Sequence, residues 1–395
     1  MSKRFVYTAG AAALALTQGL ALSGCLDDDS ISTPPEELGG EEALERAAAG
    51  GNLDLVPYDL APRAAKRAAA LPLEQRSREE LAEALRPVVF DRDGKVYTTR
   101  EPNWEAADTV PRDALAMVRA QAAGAEPTPD RFEDPAPGDL TALPRIIGTD
   151  GRTRVTNTTV APFRAMARVF MQFSNGSWGQ CSGTYVGPWT FVLAGHCIRE
   201  SSGAVARRMI FEPARNGSLL PFGSFDCRND DASSSNNFLA AIPSGYVSTA
   251  DPNLDMAVVD TWPCHRAPNW MGQPATNQGV LVNPGNTTYA LHGYPGDPPS
   301  SVTCPGSPTG GTTLCGMSGS AYVNGSWVET EHIDSSPGQS GGPWHIGGRV
   351  AATHIGYREY FDLFRCGFDV CRRNYGRRMD ATYKSFLDAI SFDYP

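Results

Sequence analysis

From Ile146 to the C-terminus, short apolar runs with β-type composition recur between clusters of Gly, Pro, Asn and Asp, almost without helical periodicity. They fall at residues 170–173, 183–186, 191–193, 256–259, 279–282, 288–291, 320–323 and 349–354. Runs this short, at this spacing, cannot make a helical bundle or a doubly wound sheet; they fit an all-β barrel or sandwich. The exception is the C-terminus, where Tyr383, Phe386, Leu387 and Ile390 follow helical spacing after Asp380 and predict one terminal helix.

The texture before Ile146 is different. Lys3 and Arg4 precede an apolar run from Phe5 to Leu22, closed by Leu22-Ser23-Gly24-Cys25. Residues 1–25 therefore read as a targeting segment whose last four residues match a bacterial lipobox, with Cys25 the residue to be lipidated. A membrane-spanning helix fits less well, because the run is short and followed by Asp27-Asp28-Asp29 rather than by basic residues. Residues 26–43 are an acidic, Pro-containing tether. Helix-favouring stretches occur at 41–49, 77–85 and 112–122, and Val88-Val89-Phe90 is expected to pair with Lys95-Val96-Tyr97 through the Asp91-Arg92-Asp93-Gly94 turn. Residues 123–144, rich in Pro, Gly and Asp, read as a second linker. The 26–145 region is expected to be a tether and a small mixed α/β or partly disordered propeptide that inhibits the part of the chain beyond Ile146; a plain spacer is the alternative.

Charge separates the two parts as well. Residues 1–145 carry 16 Lys and Arg against 25 Asp and Glu, whereas residues 146–395 carry 18 against 19. No basic run gives nucleic acid an electrostatic footprint, and only lipid on the precursor connects the chain to a membrane. Of nine cysteines, eight lie beyond residue 146: Cys181, Cys197, Cys227, Cys264, Cys304, Cys315, Cys366 and Cys371. Their even number points to disulfides in an oxidising compartment. Pairing in sequential order is expected, with Cys181 and Cys197 bracketing a hairpin that leads to His196. No CxxC pair supports a zinc site, and no metal or cofactor is expected.

Three motifs carry chemistry. Gly338-Gln339-Ser340-Gly341-Gly342-Pro343 sets a serine on a glycine-flanked turn, where the N–H groups of Gly338 and Ser340 can meet a developing oxyanion. Serine needs a base and an orienting acid. Leu193-Ala194-Gly195-His196-Cys197 offers the base, and Asp255, at the head of the apolar run Met256-Ala257-Val258-Val259, offers the acid. Asp251 and Asp260 are its rivals. His265, His292, His332 and His345 read as ordinary loop or packing residues. The chain order His196, Asp255, Ser340 is the chymotrypsin-like one.

Several further pieces resemble the bacterial glutamyl endopeptidases, a branch of the chymotrypsin-like serine proteases. They are Ile147-Gly148-Thr149-Asp150, the stretch from Arg152 to Thr159, Arg215-Asn216-Gly217, Ile242-Pro243-Ser244-Gly245 and Gly293-Tyr294-Pro295-Gly296-Asp297. The resemblance runs from Ile146 to the C-terminus and does not cover residues 26–145. It implies a chymotrypsin-like double Greek-key β-barrel, with one barrel over roughly 146–270 and the other over 271–395. The catalytic residues would lie in the cleft between them, and the substrates would be proteins or peptides.

Arg145-Ile146 looks like the cleavage point of trypsin-type zymogens, but Gln339 stands where the partner aspartate of the new ammonium would be. In the resembled family the new N-terminus lies near the substrate pocket, and His354 matches the histidine that receives a glutamate side chain. Asp334, six residues before Ser340, is the position that would instead favour Arg or Lys. The chain departs from the family in having Gly342 in place of a serine and in the insertion from Cys304 to Cys315. The expectation is an exported bacterial serine endopeptidase, lipid-anchored as a precursor and extracellular when mature, cutting after Glu and less readily after Asp. The alternatives are cleavage after Arg or Lys, or a surface binding protein on a protease fold.

Overall fold

The apolar runs form strands, and the strands sort into two sheets. The computed structural model describes residues 54–60, 71–91, 95–110, 131–132, 146–147, 149–229, 237–261, 264, 279–296, 304, 311–361 and 370–390. In chain order the strands are β1 Leu55–Pro57, β2 Pro87–Phe90, β3 Val96–Thr99, β4 Arg131–Phe132, β5 Thr153–Arg154 and β6 Met166–Phe173. Next come β7 Trp178–Tyr185, β8 Thr190–Leu193, β9 Ala206–Pro213, β10 Phe225–Arg228, β11 Leu239–Pro243 and β12 Ala257–Asp260. The last six are β13 Thr287–Gly293, β14 Cys315–Asn324, β15 Trp327–Thr330, β16 Pro343–Ile346, β17 Arg349–Phe361 and β18 Val370–Arg378. Helices are short: α1 Arg78–Ala84, α2 Trp104–Asp108, α3 Ser244–Thr249 and the expected C-terminal α4 Ala381–Ile390. Among the described residues no helix is long and apolar enough to cross a membrane.

The second sheet closes on itself. Its order runs β13-β16-β17-β18-β15-β14, and β14 pairs back onto β13 from Thr287↔Ala321 to Gly293↔Cys315, so six strands form a ring. Tyr289, Leu291, Val328, Ile333, Trp344 and Ala352 fill it. Strand β5 crosses from just beyond the Arg145-Ile146 junction to pair with β14, opposite Cys315 and Gly316. The 153–154 stretch therefore belongs to the second sheet and not to the first. The run at 279–282 gives only a single bridge, Val280↔Val350.

The first sheet departs from a self-contained barrel. Its described order is β1-β3-β2-β11-β12-β8-β7-β6-β9-β10, ten strands, of which the first three come from residues before the Arg145-Ile146 junction. The expected β2–β3 hairpin exists, with Val88↔Thr98, Val89↔Tyr97 and Phe90↔Val96. It does not stand apart as a separate lobe: β2 pairs with β11, and Leu81, Leu85, Val88 and Phe90 share one buried core with Val192, Leu193, Tyr246, Leu254 and Phe386. Helix α1 starts where its sequence directs, because Ser77 and Glu80 form a reciprocal capping box. The stretches expected to be helical at 41–49 and 112–122, and Cys25, Arg145 and Cys366, lie outside the described residues.

The disulfides Cys181–Cys197, Cys227–Cys264 and Cys304–Cys315 are those expected. Cys371 is also disulfide-bonded.

Candidate active site

Strand register brings the base and the acid together. Leu193, the last residue of β8, pairs with Ala257, the first of β12. The chain leaves β8 toward His196 at the same end of the pair from which it enters β12 after Asp255. His196 lies on one 3₁₀ turn, Gly195–Cys197, and the Cys181–Cys197 bridge ties that turn to β7. Space at Gly195 is tight: a β-carbon on it would lie 3.1 Å from Asp255 Oδ1 and 3.1 Å from the Tyr246 ring, so any larger residue would push on the dyad. Asp255 ends the 3₁₀ turn Pro252–Leu254, which Asp251 caps by accepting the Asn253 N–H at 3.0 Å. Asp251 also pairs with Arg76, so its carboxylate is committed to structure. Asp260 stays on β12 opposite Thr190.

Asp255 grips His196 twice. Its Oδ1 accepts the His196 main-chain N–H at 2.9 Å, and its Oδ2 lies 2.9 Å from Nδ1. Asp255 is fully buried and His196 is 2% exposed. An imidazole held this way keeps its proton on Nδ1 and turns Nε2 into the acceptor. Cys181, His196 and Cys197 bring three ligand-type atoms within 4.8 Å, yet the two sulfurs are bonded to each other. The imidazole is then the sole donor, which does not make a metal site.

Ser340 sits in the turn between β15 and β16, and the first sheet holds that turn. The Ser182 N–H donates to the Ser340 carbonyl at 2.8 Å, the Ser182 hydroxyl donates to the Gly338 carbonyl at 2.7 Å, and Cys197 Sγ is 3.9 Å from the Ser340 carbonyl. Within the loop some N–H groups are used and others are not. Those of Gln339, Gly341 and Gly342 donate to Ser336, His354 and Gln339, whereas among the described residues those of Gly338 and Ser340 have no internal acceptor. Gly338 and Gly341 have φ of +88° and +78°, and a β-carbon on Gly341 would lie 2.3 Å from the Ser182 carbonyl. Gly342 has its own reason: a β-carbon there would meet the His292 carbonyl at 2.4 Å. A serine at that position is excluded by this packing.

His354 and Asp334 are the two residues expected to bear on specificity. His354, on β17, exchanges main-chain hydrogen bonds with Gly341 and Gly342, at 2.6 and 2.8 Å. Its Nδ1 accepts from the Trp344 indole N–H at 3.4 Å, and it also bonds to the Tyr375 main chain. Burial pushes its pKa down to about 3, with His196 adding to the effect, so it is neutral. Register against β18 shifts between His354 and Gly356, a bulge of the kind that re-aims side chains beside a site. Asp334 is 3% exposed, and both of its oxygens accept main-chain N–H groups, from Ile147 at 2.7 Å and from Gly151 at 2.8 Å. His292, half-buried, and His345, buried, form a stacked pair, Nδ1 to Nε2 at 2.9 Å, with pKa values held down to about 3 and about 4 by desolvation.

Sequence reasoning missed the residue that braces the nucleophile loop. Arg152, 1% exposed, donates to the Ser336 hydroxyl and to Gln339 Oε1 at 3.0 Å, and is paired with Asp150 at 2.9 Å. Gln339, which cannot pair with a new ammonium, thus has an arginine from just beyond the Arg145-Ile146 junction as its partner. Arg152 stood inside a recognised motif, but neither its spacing nor its neighbours mark an arginine as buried. Ser182 likewise reads as an ordinary strand residue.

No family model matches the chain. It is similar to the glutamyl endopeptidase of Bacillus licheniformis, 33% identical over 204 residues, which is 51% of this chain and 55% of that protein. It is also similar to a protein of Bacillus subtilis called an extracellular metalloprotease, 31% identical over 158 residues, covering 38% of this chain and 45% of that one. The chain spans about half the length of the curated relatives it matches. A solved Glu endopeptidase structure aligns with 62% of this chain and 97% of its own, at 27% identity and a TM-score of 0.46. The resemblance read from the motifs is thus matched over half of the chain by a relative named glutamyl endopeptidase.

Proposed function

We propose that this chain is a serine endopeptidase that cuts peptide bonds after glutamate. The observation that carries the proposal is the twofold hydrogen bonding of His196 by buried Asp255, beside a serine turn in which the Gly338 and Ser340 N–H groups have no internal acceptor among the described residues. Ser340 Oγ attacks the scissile carbonyl carbon while His196 Nε2 takes its proton, and Asp255 stabilises the imidazolium through Nδ1. The Gly338 and Ser340 N–H groups receive the oxyanion, where one donor is worth about 3 kcal/mol in the transition state. Collapse breaks the C–N bond as His196 returns the proton to the leaving amine. Water, deprotonated by His196, then hydrolyses the acyl-enzyme.

Two features support glutamate over a basic residue. His354 is neutral and lies on the strand whose main chain bonds to Gly341 and Gly342, where an imidazole suits the carboxylate of a glutamate side chain. Asp334 has both oxygens occupied by the Ile147 and Gly151 amides and is poorly placed to receive a guanidinium or ammonium. The same proposal includes export as a precursor lipidated on Cys25 and a cut at Arg145-Ile146.

A fluorophosphonate probe tests the mechanism. It should label the processed chain and fail to label Ser340→Ala or His196→Ala. Absence of labelling in a correctly folded, processed chain would mean that the fold serves binding instead.

A further inference from the structure

We infer that residues 54–110 are a permanent part of the folded protein and stay bound, as a non-covalent subunit, after the chain is cut at Arg145-Ile146. The inference concerns the fate of a segment expected to act as a removable propeptide. It takes the cut from the proposed function, but the contacts that argue for it are independent of any catalysis.

The segment supplies the edge of the sheet that carries the site. β2 pairs with β11 through Phe90↔Ala240, Val89↔Ala241, Val88↔Ile242 and Pro87↔Pro243, and β11 is next to the β12–β8 pair that presents Asp255 and His196. Departure of the segment would bare a strand edge and the apolar residues packed on it, which is a template for aggregation. The join is dry: Leu81, Ala82, Leu85, Val88, Ala106 and Ala107 have no solvent exposure. It is also close, because a β-carbon on Gly245 of α3 would lie 3.0 Å from Ala84 Cβ.

The polar groups of the join are matched across it. The Ser244 N–H donates to the Arg86 carbonyl at 2.8 Å, and the Ser244 hydroxyl donates to the Glu83 carbonyl. Thr109 Oγ1 bonds to Thr382 Oγ1 of α4 at 3.1 Å. Arg76 pairs with Asp251, whose side chain is 1% exposed and which caps the turn ending at Asp255. Loss of the segment would take away the cation that partners this carboxylate. The segment therefore supports the acid of the dyad from behind.

The test needs neither natural processing nor activity. A recognition sequence for a site-specific protease is placed between residues 111 and 130 of the Ser340→Ala chain, and the purified protein is cut there. Native size-exclusion chromatography with intact-mass detection should find both fragments in one 1:1 species at the elution volume of the uncut chain. Elution of the N-terminal fragment by itself would overturn the inference, whether the remainder stays folded or aggregates. Arg76→Met and Val88→Thr, in the cut protein, should each raise the concentration for half-dissociation by about tenfold or more, since each leaves a polar or charged group buried and poorly satisfied at the join. Cut variants that hold together as tightly as the parent would refute the assigned join. Retention with no hydrolytic activity in the Ser340 parent would leave this inference standing and remove the proposed function instead.

Discussion

Replacing Arg152 with methionine keeps an unbranched stem but removes the guanidinium and with it every hydrogen bond the side chain makes. The guanidinium is wholly buried and serves two neutral acceptors, the Ser336 hydroxyl and Gln339 Oε1, and one carboxylate, Asp150, which is 19% exposed. Hydrogen bonds from a charged donor to buried acceptors contribute about 1.5–3 kcal/mol each. The Asp150 pair, open to water on one side, adds about 1 kcal/mol or less. Arg152→Met should therefore loosen the 336–340 loop by about 3–6 kcal/mol. Part of that reaches the transition state, because the Gly338 and Ser340 N–H groups flank Gln339. The expected result is a kcat lower by about 10- to 100-fold, the span up to loss of one oxyanion donor, with KM changed less than about threefold. Steady-state hydrolysis of a glutamyl peptide, normalised by fluorophosphonate titration of active sites, measures both. A double-mutant cycle with Gln339→Leu should show a coupling of about 1 kcal/mol or more. A kcat within about twofold of the parent, alongside a lowered melting temperature, would refute the bracing role and leave Arg152 as a packing residue.

Other perturbations have equally definite outcomes. Asp255→Asn should lower kcat by about 10⁴, because an amide facing Nδ1 favours the wrong tautomer of His196; a loss under tenfold would remove Asp255 from the dyad. Stability should fall in acid, since an unfolded histidine titrates near 6.5 whereas His345 folds with a value of about 4 and His292 and His354 with about 3. Between those values the unfolded chain binds more protons, so the contribution is complete above about pH 6.5 and is lost toward the folded values, about 2 kcal/mol per histidine by pH 5. Urea midpoints that do not change between pH 7.5 and 5 would contradict this. Removing the Cys181–Cys197 bridge by double alanine substitution should cost about 3 kcal/mol for its separation of 16 residues, and should lower kcat as well by freeing the His196 turn. Unchanged kcat would show that the turn is held by β8 alone.

Much of the fold was legible because its signals are local. The β2–β3 hairpin, the C-terminal helix and the three described disulfide pairs all come from short stretches of sequence. Strand β18 shows the limit. Val370–Arg378 carries four arginines, an unpromising composition for a central strand, yet it pairs along β15 and β17, and acidic partners meet three of those arginines. Glu359 lies beside Arg372, Glu329 and Glu331 beside Arg373, and Asp380 beside Arg377. Two of those four carboxylates lie on β15 or β17, one on the loop after β15 and one beyond β18, so no window of sequence displays the matching. The union of β2 with β11 was hidden for the same reason, since it joins residues about 150 positions apart. In the site, His196, Asp255 and Ser340 stood out because glycine-rich or apolar flanks mark them. Arg152 and Ser182 did not, because a buried charge and a bracing hydroxyl are defined by partners far along the chain.

Cleavage-site profiling of the processed protein on a mixed peptide library tests the central claim most directly, with Ser340→Ala and His354→Ala alongside. The account predicts cuts after glutamate, fewer after aspartate, abolished by Ser340→Ala and strongly reduced by His354→Ala. Cuts after arginine or lysine that survive His354→Ala, or no Ser340-dependent cuts at all, would contradict it.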